Sequence, residues 1–203
     1  MNGIGHRLVL TAATLAALLA LAAPARAATA WTTDPAHSRL TFVATQSGGE
    51  FEGRFARFHS DIAFDPRDLA GSRFRVTIET ASADTQDETR DAALVGDDFF
   101  AASRWPAATY EASRFVATAD GRYEARGRLT IRGVSRDVNV VFAFKPTSAG
   151  RGAVLSGGTT IRRLDFGVGQ GEWQDTKWVG NDVRIQFELV LGPGPAKTGA
   201  AGG

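Results

Sequence analysis

A strict alternation of apolar and polar side chains recurs in five stretches of the chain and restricts what it can fold into. Phe74, Val76 and Ile78 point one way, while Arg73, Arg75, Thr77 and Glu79 point the other. Tyr123, Ala125, Gly127, Leu129 and Ile131 oppose Arg122, Glu124, Arg126, Arg128, Thr130 and Arg132. Val138, Val140, Phe142 and Phe144 form a third apolar row; Val183, Ile185, Phe187, Leu189 and Leu191 form a fourth, and Leu40, Phe42 and Ala44 a fifth. A repeat of two belongs to a pleated strand, whereas a helix repeats at 3.6. Strands with one apolar and one charged face suit an antiparallel sheet curled on itself with the apolar side inward. The expected fold is an all-β barrel whose interior suits a hydrophobic ligand.

The first residues have the pattern of an export signal. Arg7 precedes an apolar run from Leu8 to Ala23, followed by Pro24 and the small-residue site Ala25, Arg26, Ala27. The run is rich in Ala and shorter than the ~20 residues that span a bilayer. Residues 1–27 are therefore expected to be a signal peptide, with the mature protein in the periplasm or secreted. Its removal takes away Arg7 and Arg26 and no acid, so the formal charge moves from +1 to −1. No basic excess then points to nucleic acid or to an anionic membrane surface. The chain contains no Cys, which excludes a disulfide framework, thiolate catalysis and thiolate metal sites.

Punctuation residues divide the remainder. Strands are expected over about Ser38–Gln46, His59–Phe64, Arg73–Glu79, Ala108–Ala117, Arg122–Ile131, Ser135–Lys145, Arg151–Ile161 and Asp182–Leu191. Asp65–Asp68 forms a turn around Pro66, and Asp120–Gly121 and Arg132–Gly133 mark hairpins. Between Asp87 and Val95 the alternation stops, early acids give way to Ala92, Ala93 and Leu94, and Gly96 follows, which predicts one short helix. Residues 28–191 thus form one domain, and 192–203, rich in Gly, Ala and Pro, a disordered tail.

Groups suited to catalysis are few. Without the signal segment only His37 and His59 remain. Asp34, His37 and Ser38 lie too close along an extended strand to form a triad, and no Gly-x-Ser-x-Gly elbow occurs. No close His pair has metal-ligand spacing, so no metal site is expected. Gly167, Gly169 and Gly171 lack the spacing and following helix of a dinucleotide loop and are read as a bulge beside Trp173. His37, Arg163 and Asp165 are candidate polar groups at a barrel mouth, although Arg162, Arg163 and Asp165 also fit a surface ion pair. No catalytic residue and no cofactor is assigned. The small inward residues Ala44, Ala112, Ala125 and Gly127 would leave space among larger ones. A ligand surface is assigned to Phe42, Phe74, Val76, Ile78, Phe99, Tyr110, Leu129, Ile131, Val140, Phe142, Phe166 and Trp173. A hydrocarbon chain in such a space gains ~0.8 kcal/mol per buried CH₂ before ordering costs.

Several motifs in fixed order carry a family likeness from Trp31 to Leu191. They are Asp34–Ser38 with Leu40 and Phe42; Gly53, Phe55 and Phe58; Arg90, Asp91 and Leu94; Asp98–Phe100; Trp105–Pro106; Gly127, Leu129–Ile131, Gly133 and Val134; and Arg163, Asp165–Gly167. On these residues the chain resembles the YceI family of lipocalin-like, polyisoprenoid-binding proteins. The resemblance implies an eight-stranded antiparallel lipocalin-like barrel with one short helix near an end, holding a long-chain isoprenoid lipid such as a polyprenyl phosphate or a quinone tail. It implies no enzyme activity. Where relatives often carry His, this chain has Thr45–Ser47 and Ala92–Ala93. The segment Gly169–Trp173 is similar to a subgroup associated with a cytochrome b561-type membrane protein, which implies such a partner. A homodimer is a further expectation. Two other readings stay open: an enzyme acting on an apolar substrate with His37 and Asp165 or Arg163 as acid and base, and a closed structural or stress-related exported protein.

Overall fold

In the computed structural model, residues 28–147 and 151–194 are described. They form ten strands: β1 (Ala30–Gln46), β2 (Gly49–Phe55), β3 (Phe58–Ala63), β4 (Arg73–Glu79), β5 (Ala83–Asp84), β6 (Ala107–Ala117), β7 (Tyr123–Ile131), β8 (Val134–Pro146), β9 (Ala153–Arg162) and β10 (Asp182–Pro193). Strands β1, β3, β4, β6, β7, β8, β9 and β10 make an antiparallel ring, closed by pairing between β10 and β1. This is the eight-stranded barrel. β2 and the two-residue β5 extend the wall beyond β1 at one end. β2 and β3 are two halves of one strand, because both pair with β1: Thr41–Gln46 with Gly49–Arg54, and Ala30–Thr32 with Asp61–Ala63.

The helix α1 (Glu88–Val95) occupies the span that the sequence predicts. Asp87 caps it by accepting a hydrogen bond from the Arg90 N–H, Glu88 and Asp91 lie in its first turn, and Gly96 ends it. The two-residue link Arg132–Gly133 has φ of 52° and 74°, the paired positive values of the tight hairpin favoured between twisted strands. The β6–β7 link is looser: Thr118 and Arg122 close it with a backbone bond of 2.8 Å, and Gly121 supplies φ 78°.

Several strands depart from the sequence-based expectation. β1 begins at Ala30 rather than Ser38, because its pairing with β10 tolerates a register jump between Asp34 and Arg39. Pro35 breaks the alternation there, so the first segment does not read as strand. β2 is the strand that alternation hides, since glycine stands at two of its positions. The Phe42 ring packs over Gly53: a Cβ there would fall 2.3 Å from it. The last strand runs through Pro193, two residues past its expected end at Leu191. The predicted signal peptide and residues 195–203 lie outside the described residues.

One end of the barrel is filled by rings. Phe64, fully buried, has ring centroids 5.0 to 6.0 Å from Phe74, Phe115, Tyr123, Phe142 and Phe144. Trp31 completes the stopper, donating its indole N–H to the Phe64 carbonyl at 2.9 Å. The tilted and edge-to-face geometries suit aromatic quadrupoles.

Candidate functional site

Between this aromatic stopper and α1 the interior is not filled. A cavity of about 310 Å³ lies under the helix and a smaller one of about 90 Å³ lies toward the stopper. Leu40, Ile78, Leu129 and Ile185 line both, so the two are adjoining compartments of one lumen. The combined space is that of a modest ligand pocket. The walls are almost wholly apolar because strand alternation sends every second side chain inward.

The larger compartment is bounded by Phe42, Ala44 and Gln46 of β1, Phe51 and Phe55 of β2, Thr89, Arg90, Ala93 and Leu94 around α1, and Phe99 and Trp173. Arg90 ties the helix to the β1–β2 hairpin. Its Nε donates to Gln46 Oε1 at 3.1 Å, and its guanidinium stacks 4.2 Å from the Phe51 ring centroid. Asp91 holds the approach to the helix, accepting from the Thr85 N–H at 2.8 Å and its hydroxyl at 2.6 Å.

Arg163 is a buried cation, 3% exposed, whose guanidinium hydrogen bonds go to backbone carbonyls. It donates to the carbonyls of Gly180, Val168, Trp173 and Val179 at 2.6 to 2.9 Å, which fastens the segment from Val168 to Gly180 over the lumen. Burial pushes its pKa down, yet guanidinium keeps its proton. Gly169 follows from this packing, since a Cβ there would lie 1.9 Å from Arg163 Nη1.

The residues assigned from sequence divide by location. Phe42, Phe99, Ile131 and Trp173 line the helix-side compartment; Phe74, Val76, Tyr110 and Val140 line the smaller one; Ile78 and Leu129 line both. Phe142, fully buried, belongs to the aromatic stopper, and Phe166, 2% exposed, packs in the core cluster behind the cavity wall. Arg163 reaches the lumen wall. The other two proposed mouth residues stay apart from it. His37 sits on an exposed bulge of β1 with Nδ1 2.8 Å from Asp34 Oδ2, and Asp165 pairs with Arg162 at 2.8 Å on the surface. The side-chain hydrogen bond to His37 is the chief cause that lowers the Asp34 pKa.

The expected vacancy at Gly127 is occupied, because the Tyr110 ring lies over that glycine. Its hydroxyl donates toward the Ala125 and Val138 carbonyls at 3.0 and 3.2 Å. Sequence reasoning missed Leu40, Gln46, Phe51, Arg90 and Ile185 as wall residues. For Leu40 and Ile185 the signal was present in the alternation itself. Among the described residues no group of three or more His, Cys, Asp or Glu side chains is placed to hold a metal ion, and no helix is long and apolar enough to cross a membrane.

Comparisons with known proteins agree with this architecture. A UPF0312 protein of Vibrio parahaemolyticus is 30% identical over 141 residues, covering 67% of this chain and 75% of the relative. The crystal structure of Burkholderia cenocepacia BcnA is similar at TM-score 0.74 and 34% identity, over 78% of this chain and 98% of that one. A polyisoprenoid binding domain from Saccharophagus degradans, implicated in plant cell wall breakdown, shares the fold at TM-score 0.66 and 16% identity, over 82% and 99% of the two chains. The model of the YceI-like domain matches residues 31–191, nearly the whole barrel, and the chain belongs to the YceI family.

Proposed function

We propose that this protein is an exported binding or carrier protein that holds a long-chain isoprenoid lipid, of the polyprenyl phosphate or quinone type, in its barrel. The observation that carries the reading is the two-part apolar lumen, walled by Leu40, Ile78, Leu129 and Ile185 and left unfilled by the protein's own side chains. Burial at ~25 cal/mol per Å² makes such a surface favourable for a hydrocarbon chain without a fixed polar partner. The fold shared with a domain described as polyisoprenoid binding supports the same ligand class. Binding rather than turnover fits the placement of the candidate acid and base groups, since His37 and Asp165 stand outside the lumen walls. The export pattern at Arg7–Ala27 assigns the work to the periplasm or the medium. A cytochrome b561-type membrane protein is the partner proposed on the family likeness, and a second copy of the chain is a further proposed partner.

The test is titration with retinol, an isoprenoid alcohol whose fluorescence rises when water is excluded, against wild type and Ala108→Phe. Ala108 is a small side chain on the cavity wall, so the larger ring takes up ligand space. Wild type should bind saturably, and the variant at least tenfold more weakly while keeping its thermal transition. Wild type that binds no retinol or longer prenyl alcohol would overturn the reading.

A further inference from the structure

The barrel wall has an open seam on one side. β1 and the β2–β3 strand pair at both ends, but between Asp34 and Leu40 on one side and Phe55 and Ser60 on the other no ladder is formed. Thr33 Oγ1 and Ser60 Oγ meet across the stretch at 2.5 Å, at the end nearest Thr32. In the gap lies a cleft of about 810 Å³.

Two local structures keep the seam from zipping. On β1 the register jump between Asp34 and Arg39 throws out a bulge that contains Pro35, which has no N–H to offer. Ser38 Oγ turns the other way and accepts from the Val190 N–H at 2.9 Å. On the opposite lip the backbone is committed to another element. The Ala56 N–H donates to the Ser82 carbonyl at 2.9 Å, the Arg57 N–H to Ser82 Oγ at 3.1 Å, and the Arg57 carbonyl accepts from the Glu79 N–H at 3.1 Å. Closing the seam would break these bonds, each costly if left unmade.

Three residues are shared between the cleft and the lumen. Leu40 lines the cleft and both compartments, Phe55 the cleft and the larger one, and Phe58 the cleft and the smaller one. Phe55 and Phe58 are half-buried. The outer lip is charged, with Arg39, Arg54 and Arg57 each paired to an exposed or half-exposed carboxylate.

We propose that this seam is the portal through which an isoprenoid tail passes between solvent and lumen, its polar head remaining at the arginine lip; the inference rests on the lipid-binding reading above. Of the other two ends, the one at Phe64 is filled by packed rings, and the helix end, where exposed Gln46, Asp87, Thr89 and Ala93 line the larger compartment, is the competing entrance that the helix variant below tests. At the seam, rotamer changes of Leu40, Phe55 and Phe58 suffice, and such motions are fast.

The experiment is stopped-flow retinol exchange with Ala36→Trp/Ala56→Trp, which adds two bulky rings to exposed positions on the cleft lips, beside Ala92→Trp at an exposed position of α1 outside the lumen walls. Uptake and release should both slow at least tenfold in the double variant, the signature of a blocked path with an intact cavity. The helix variant should exchange at a rate close to wild type. Unchanged rates in the double variant, or slowing confined to Ala92→Trp, would overturn the portal while leaving lipid binding in place. Failure of wild type to take up retinol at all would overturn both.

Discussion

The ring of Tyr110 occupies the place where Gly127 would carry a side chain. A Cβ on Gly127 would stand 2.6 Å from Tyr110 Cζ and 2.5 Å from the Glu111 carbonyl oxygen. The glycine therefore serves two purposes in the lumen wall: close approach of β6 to β7, and a flat bed for the phenol. Gly127→Ala should cost about 1–3 kcal/mol, the usual range for forcing a methyl into a filled core. Urea unfolding will show the loss. Because one of the two clashes is with backbone, Tyr110→Phe should not rescue it.

Tyr110 also predicts a dependence on alkaline pH. Burial, with Glu124 adding like charge, raises its phenol pKa well above the ordinary value, so the folded state favours the protonated form. The sign follows from linkage. This contribution is fully present below pH ~10, the pKa of an unfolded tyrosine, and is lost as pH rises beyond it. At neutral pH Tyr110→Phe should be less stable than wild type by about 1–3 kcal/mol, since two carbonyl partners lose their donor. That deficit should shrink above pH ~10 in parallel chemical denaturation series.

Phe74 marks the floor of the lumen, lining the smaller compartment on one face and meeting the Phe64 and Phe115 rings at 6.0 and 4.8 Å on the other. Phe74→Ala should remove about 3–5 kcal/mol of stability and open the floor toward the stopper. Prenyl alcohols of increasing length, titrated against both proteins, should show the variant's preference moving to a longer chain. An unchanged length preference would show that the floor does not set it.

Arg163 holds four carbonyls of the Val168–Gly180 region. Arg163→Met would leave those oxygens without their donor at a cost of about 3 kcal/mol or more. The loss should be local as well as global: trypsin should cut after Lys177 much faster in the variant than in wild type. Arg163→Lys should fall between them, because an ammonium cannot reach the same fork of acceptors.

Those residues also show what one-dimensional reading can and cannot see. The strands around Phe74, Tyr123, Val138 and Val183 were legible because a half-buried strand writes its environment into every second residue. The helix was legible because the alternation stopped between an acidic start and Gly96. The β1 bulge was not, since Pro35 and Ser38 act through a register jump against β10 that only the closed ring defines. Nor was the filling of the space over Gly127: a glycine in an inward row reads as a gap, and whether a neighbour's ring enters it depends on cross-strand geometry. The sequence offers Arg163 and Asp165 as polar groups at a barrel mouth or, with Arg162, as a surface ion pair, whereas folding sends Arg163 inward to carbonyls and leaves Asp165 on the surface with Arg162. Long-range hydrogen bonding of that kind leaves no periodic trace.

The most direct measurement is the native mass of the protein recovered from its own exported fraction without denaturation. The account predicts a species heavier than the polypeptide by one isoprenoid lipid, with that added mass lost from Ala108→Phe. Polypeptide mass alone, unchanged after incubation with prenyl alcohols of any length, would contradict it.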